Sequence, residues 1–343
     1  MLVCCLALAG LSTYATYSAT SLLSFMLGLA LTGAFLAPCW PACTKILGLW
    51  FPDDRLNSVF GLINTATYSG GVGGTALAAA LVAESGWRSV AAPPALFAIA
   101  TAWALAFLLA TPQEKGLTVP GKEPLLPQGK VDVSTVKPLS ALIHLPCVPE
   151  LGVAMFCLKL VRYALYMWLP LYLVEHLGYP TLQAGLASTA FDVGGILGSP
   201  MLGFTLDRMG YAPLPCVGLV VAMGAGALLV FLLTAGFGLG ANLVCLLLVG
   251  AANCGPDSII AGSISMEVGE RAGGGQGAGV TSLVNGVGNL GGMVEGPLIG
   301  ALYNMLGWAG VLPCLVAVSA VGSLSVHRAA RLHKSLMSNV LPS

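Results

Sequence analysis

Long apolar runs, broken by short polar turns, fill most of the chain. A helix needs about twenty apolar residues to cross a bilayer core at a rise of about 1.5 Å per residue. The runs predict ten helices, near 1–14, 17–49, 56–82, 88–110, 150–174, 181–206, 211–235, 239–266, 275–303 and 306–328. The first is short and starts abruptly at Met1, without the basic segment or cleavage site of a signal peptide. The turns hold Gly, Pro or charge, as in WFPDDR (50–55), ESGWR (84–88), EHLGYP (175–180) and EVGERAGGG (267–275).

One stretch departs from this rhythm. TPQEKGLTVPGKEPLLPQGKVDVSTVKP (111–138) is polar and rich in Pro, Gly and Lys, and predicts a flexible linker. Four helices precede it and six follow. The expected division is a partial N-terminal helical half (1–110), a linker (111–149), a six-helix C-terminal half (150–330) and a tail (331–343).

Composition agrees with the pattern. Of 343 residues, 57% are hydrophobic and 8% charged, against about 25% charged in a soluble domain. The mean hydropathy is +0.88. The expected class is an all-α polytopic membrane protein whose main partner is the lipid bilayer. No basic tail or aromatic-basic interleaving is present, which argues against nucleic acid as a partner. Ten cysteines are scattered, mostly in apolar runs where cysteine behaves as a small hydrophobe. Cys39 and Cys43 in PCWPAC have no His or acidic neighbour, so no metal site is expected there. His144, His176, His327 and His333 likewise lack a ligand set. With no P-loop, dinucleotide fingerprint or nucleophile elbow, neither an enzyme nor a cofactor is expected.

The distribution of positive charge predicts orientation. Numbering the loops alternately puts Lys45, Arg55, Lys115, Lys122, Lys130, Lys137, Arg208, Arg271, Arg328, Arg331 and Lys334 on one side, and Arg88 alone on the other. The linker and C-terminus should therefore be cytoplasmic.

Two cations remain, and both lie inside the apolar run LGVAMFCLKLVRYALYMWLPLYLV (151–174). Arg162 sits about 18 Å into it. A cation there costs about 2.5 kcal/mol or more on insertion scales, so something must hold its charge. A ligand anion is one reading; a structural pair with Asp192 or Glu295 is the other. Lys159 lies three residues away, on a neighbouring face, and is either a second ligand or a side chain that snorkels. Asp192, Asp257 and Glu295 are the remaining acids in apolar runs and are candidate charge partners. Asp257 follows Gly255-Pro256, where a helix irregularity is expected.

GFTLDRMG (203–210) resembles the G-x-x-x-D-R-x-G loop motif of the major facilitator superfamily. Its Asp207 and Arg208 would sit at helix ends, where charge pairs can latch helices in one state and release them in another. WLPLYL (168–173), FDVGGILG (191–198), NCGPDSIIAGS (253–263) and GAGVTSLVNGVGNLGG (277–292) resemble the organophosphate:phosphate antiporter family. APCWPACTKILGLWFPDDRLNSVFG (37–61) resembles that family's fourth helix and following loop. The likeness covers nearly all of the chain except the linker. It implies a twelve-helix major facilitator fold of which about ten helices are present, the first two being absent before Met1.

The same resemblance implies functional roles. LVRYALYMWLPLY (160–172) is similar to the seventh family helix, with Arg162 at the position of a phosphate-binding arginine and Tyr163 beside it. The arginine that would oppose it belongs to the missing first helix. Lys159 resembles a lysine of the sugar-phosphate branch. NTATYSGGVGG (64–74) resembles the fifth-helix motif in which some relatives place a histidine; Thr67 stands there instead, leaving Asn64 and Tyr68 as candidate donors. Glu295 has no counterpart in the family pattern. The implied activity is exchange of a sugar phosphate or glycerol phosphate for inorganic phosphate by alternating access. Transport of another small solute, or a truncated isoform with a structural or regulatory role, are the alternatives. The endoplasmic reticulum, a plastid envelope and the plasma membrane all fit.

Overall fold

A computed structural model describes residues 1–112, 114–119, 138–209, 213–272 and 275–340. Among them there are helices and turns and no strand. In order these are α1 (Leu2–Tyr17), α2 (Leu22–Leu36), α3 (Cys39–Trp50), α4 (Leu56–Ser85), α5 (Ala92–Leu108), the single turn α6 (Leu139–Leu142) and α7 (Val148–Glu175). Then follow α8 (Thr181–Met209), α9 (Pro213–Thr234), α10 (Leu239–Ile259), α11 (Ser265–Arg271), α12 (Gly277–Leu306) and α13 (Trp308–Val340). Residues 113 and 120–137 of the expected linker lie outside the described residues.

Among the described residues, seven helical segments are both long and apolar enough to cross a membrane: Leu22–Trp50, Asp53–Ser85, Trp87–Leu108, Val148–Glu175, Pro213–Phe237, Leu239–Arg271 and Trp308–Lys334. Leu2–Tyr17 is apolar but shorter. α8 and α12 are 29 and 30 residues long, yet Gly, Ser, Thr and Asn dilute their apolarity and they are not among the seven. Each of the ten expected runs has a helical counterpart among the described residues, and seven segments meet the length and apolarity criteria together.

Element boundaries differ from expectation in two places. The run expected as one helix over 17–49 is broken between α2 and α3, where Pro38 supplies no backbone N–H and serves as the N-cap of α3. At the other end, α13 runs to Val340 instead of stopping near 328. Ser319, Ser323, Val326, Ala329 and His333 are buried along one stripe at helical spacing, and no Gly or Pro follows Gly322 before the helix ends.

The chain forms two compact units, Met1–Asp53 with Gly70–Gly129, and Asp54–Ser69 with Lys130–Ser343. In the first, α1 packs against α2 and α5. Ser12 Oγ donates to the Gly28 carbonyl at 3.2 Å, and Thr32 Oγ1 donates to Ser12 Oγ at 3.0 Å. Tyr17, Phe25 and Trp87 form an aromatic cluster, with the Arg88 guanidinium 4.5 Å from the Trp87 ring centre.

The second unit contains the first half of α4 and helices α6 to α13. Its closest helix pair is α8 with α10. Side chains at Gly194 or Gly250 would run into the Leu247 and Phe191 carbonyls respectively, so only glycine allows this approach. α7 lies against α12 and α13. The Arg328 Nε–Glu150 Oε1 pair, 3.1 Å apart, ties α13 to the start of α7. Phe60, Tyr68, Leu160, Phe191, Phe231 and Leu246 fill the interior.

α10 and α11 form one continuous helix through a π-helical turn at Ile260–Ile264. The irregularity expected at Gly255-Pro256 thus falls a turn later. Ser265 Oγ donates back to the Ile260 carbonyl at 2.6 Å, bridging the widened turn. Such turns are frequent at functional sites.

Candidate functional site

α7 is packed against α12, α13 and α8, and more than half of its residues are buried. Leu158, Leu160, Val161, Ala164 and Leu165 are all buried around the two cations. Arg162 itself is 7% exposed and Lys159 is 6% exposed. Neither side chain escapes to a helix end, so each must be satisfied in place.

Arg162 is held by two helices. Its Nη1 donates to Asp257 Oδ2 on α10 at 2.7 Å and to the Tyr68 hydroxyl on α4 at 2.9 Å. Its Cζ lies 5.2 Å from the Tyr163 ring centre and 5.9 Å from that of Tyr68, within cation–π range. Nη2 and Nε make no hydrogen bond among the described residues. Part of the guanidinium fork thus keeps donors that the described residues do not use. Asp257 Oδ1 is buried without a hydrogen-bond partner among the described residues.

Lys159 is held differently. Its Nζ donates to Asn285 Oδ1 and Asn289 Oδ1 on α12, both at 2.6 Å. The two asparagines are four residues apart and so share one helix face. α12 reaches α7 closely enough because position 288 is glycine: a Cβ there would sit 3.2 Å from Lys159 Cδ. Asn285 and Asn289 were not singled out from the sequence. The signal was the N-G-V-G-N spacing, two amides one turn apart in an otherwise apolar helix.

The other candidates are distributed around this centre. Asn64 Nδ2 donates to Ser199 Oγ at 3.1 Å and to the Cys254 carbonyl at 3.0 Å, joining α4 to α8 and α10. Thr67 is exposed. Asp192 and Glu295, expected as possible counter-charges to Arg162, are not its partners; that place belongs to Asp257. Asp192 is half-buried, and its Oδ1 has no hydrogen-bond partner among the described residues. Glu295 is buried, and its Oε1 has no hydrogen-bond partner among the described residues. Helix register, which apolar patterning does not encode, decides which acid meets the arginine.

Asp207 lies at the end of α8, beside the start of α4. Its carboxylate accepts from the backbone N–H groups of Asn57 (3.2 Å) and Ser58 (2.7 Å) and from Asn57 Nδ2 (2.9 Å). These N–H groups are among the orphan donors of a helix N-terminus, where the helix dipole also favours negative charge. Ser263 Oγ, within the π-helical turn, donates to Asn57 Oδ1 at 2.6 Å. Asp207 therefore caps α4 from another helix. Arg208 is exposed, and Gly210 of the motif lies outside the described residues.

Comparison with known proteins places this geometry in context. The Major Facilitator Superfamily family matches residues 1–281. The glucose-6-phosphate exchanger SLC37A2 of Danio rerio is 28% identical over 349 residues, covering 94% of this chain and 70% of that protein. The glucose-6-phosphate exchanger SLC37A1 of Homo sapiens is 26% identical, covering 87% of this chain and 65% of that protein. A putative glycerol-3-phosphate transporter 5 of Arabidopsis thaliana is 26% identical, covering 87% of this chain and 66% of that protein. The chain thus spans 65% to 70% of the length of these relatives. Among solved structures, the E. coli fucose:proton symporter FucP superposes with a TM-score of 0.66 at 17% identity, covering 96% of this chain and 82% of that one. The human organic anion transporter MFSD10 gives 0.65 at 17% identity, covering 95% and 76%. These two likenesses bear on the fold.

Proposed function

The chain belongs to the Major Facilitator Superfamily, and we propose that it exchanges a phosphorylated organic anion, a sugar phosphate or glycerol phosphate, for inorganic phosphate. It is an integral, multi-pass membrane transporter and not an enzyme. The observation that carries the proposal is the buried pair of cations on α7. Lys159 and Arg162 face one carboxylate, Asp257, and so keep positive charge in an apolar interior. An anion is the ligand that such a site favours. Relatives named as glucose-6-phosphate exchangers and as a glycerol-3-phosphate transporter supply the substrate class.

The binding mode follows from the side-chain chemistry. The free edge of the Arg162 fork matches two phosphate oxygens, while Lys159 acts as a point charge one turn away. Tyr68 and Tyr163 border the Arg162 guanidinium and offer hydroxyl and ring contacts to the organic part, while both amide hydrogens of Asn64 are spent on Ser199 and Cys254. Alternating access would proceed by rocking of helical halves around the bound anion, with the Asp207 cap on α4 making and breaking during the cycle. The linker and C-terminus would face the cytoplasm.

The test is counterflow in proteoliposomes loaded with phosphate, using labelled phosphate, glucose 6-phosphate and glycerol 3-phosphate outside. Arg162→Lys keeps the charge but loses the fork, at a cost of about 1.5–3 kcal/mol for charged hydrogen bonds. That corresponds to a transport loss of about tenfold to a hundredfold. Near-normal counterflow by this variant would remove Arg162 from the site, and failure of the wild-type protein to exchange phosphate would remove the function.

A further inference from the structure

Two acids on helices flanking α7 each keep a buried oxygen without a donor among the described residues, and we infer that they form the hydroxyl-reading end of the anion site, which makes the carried ester a phosphorylated sugar. The inference rests on the phosphate-exchange reading above. Glu295 on α12 is 4% exposed, and its Oε1 is the unpartnered atom. On α8 it is Asp192 Oδ1. Neither acid forms an ion pair among the described residues, since Arg162 meets Asp257 and Lys159 meets Asn285 and Asn289. A buried acceptor without a donor is costly, and a ligand that brings donors removes the cost.

Helix register sets the place of both acids. α12 turns one face to α7 through Gly288, Gly292 and Glu295, spaced by four and then three residues. A side chain at Gly288 would meet Lys159, and one at Gly292 would strike the Tyr163 ring. Glu295 is the next position of that stripe, about 10 Å of helix rise past Gly288. On α8, Phe191 precedes Asp192, and its ring centre lies 5.7 Å from that of Tyr166 on α7. Lys159, Arg162 and Tyr166 follow one another at helical spacing on one face of α7. A ligand whose phosphoryl group rests on the two cations therefore extends past Tyr166, between the acid of α8 and the acid of α12. Glycerol phosphate, with three carbons, stops short of that level. A hexose phosphate brings ring hydroxyls to it, and each hydroxyl can donate to a carboxyl oxygen. Inorganic phosphate fills the cationic end alone.

The experiment compares esters. The full chain is reconstituted in liposomes loaded with phosphate, and initial counterflow is measured with labelled phosphate, glucose 6-phosphate or glycerol 3-phosphate outside. The wild-type protein should prefer glucose 6-phosphate to glycerol 3-phosphate by about tenfold or more. Glu295→Leu should lower that ratio about tenfold to a hundredfold, and Glu295→Gln, which keeps an acceptor oxygen, should lower it less. Asp192→Asn should move the ratio in the same direction. Deoxy analogues of glucose 6-phosphate separate a contact from a structural role. The wild-type protein should reject at least one of them, and the Glu295 variants should no longer tell that analogue from glucose 6-phosphate, because the lost acceptor and the lost hydroxyl belong to one bond. If Glu295→Leu does not fold, Glu295→Gln and the analogues decide. A wild-type protein without preference between the two esters would overturn the inference while leaving phosphate exchange standing. So would variants that slow all three ligands equally, or that still reject the same analogue as strongly. A wild-type protein that exchanges no phosphate would overturn both.

Discussion

α2 and α7 are both apolar helical stretches, yet they solve opposite problems. α2, in the first unit, has no buried residue, and its leucines face outward all round. Its hydroxyls are satisfied locally or by the neighbouring α1. α7, in the second unit, is buried over most of its length and carries two cations that bond to α4, α10 and α12. An apolar helix facing lipid needs only internal hydrogen bonds. A helix enclosed by others can hold charge, because fixed partners replace the water that the charge has lost. Function therefore follows enclosure more closely than apolarity.

The sharpest way to break this contrast is to strand a charge in α7. Asp257→Ala leaves Arg162 without its counter-ion and should cost about 3–5 kcal/mol, read as a large drop in thermal midpoint in detergent. The double change Arg162→Met/Asp257→Leu should recover most of that stability while remaining unable to bind phosphate. A double variant as unstable as the single one would mean that packing, not charge, holds the site.

A smaller effect separates the enclosed helices from the lipid-facing ones by size alone. Gly250→Ala pushes a methyl group into the Phe191 carbonyl and should cost about 1–3 kcal/mol through overpacking. Gly33→Ala on α2 meets nothing within 4 Å and should be neutral or stabilising by up to about 1 kcal/mol. Equal effects would contradict the difference in enclosure.

The Asp207 cap comes next. Asp207→Ala should cost about 0.5–2 kcal/mol, as lost N-caps do, and should change transport rate more than substrate affinity. Smallest is the exposed pair Arg271 Nη2–Glu267 Oε1, 2.6 Å apart. Glu267→Gln should shift stability by about 0.5 kcal/mol or less.

The positions of most helices were legible from apolar runs and turn residues, because membrane helices must satisfy every backbone group within themselves. Arg162 was legible as an energetic exception. Its partner was not. Asp192, Asp257 and Glu295 look alike in sequence, and only the register of α7 against α8, α10 and α12 selects Asp257. Asn285 and Asn289 escaped notice because a neutral amide in a glycine-rich helix resembles a packing feature until an ammonium is found against it. The grouping of Asp54–Ser69 with the C-terminal helices was likewise not foreseen, although the GGVGG run (70–74) begins where that segment ends.

The central claim is that Arg162 binds the phosphoryl group, and ligand-dependent thermal stabilisation of the purified protein tests it most directly. Phosphate and glucose 6-phosphate at about a hundred times their dissociation constants should stabilise the wild-type protein by about 2.7 kcal/mol. Arg162→Lys should lose most of that shift while keeping its ligand-free midpoint. Equal stabilisation of the variant and the wild-type protein would place the anion elsewhere and contradict the account.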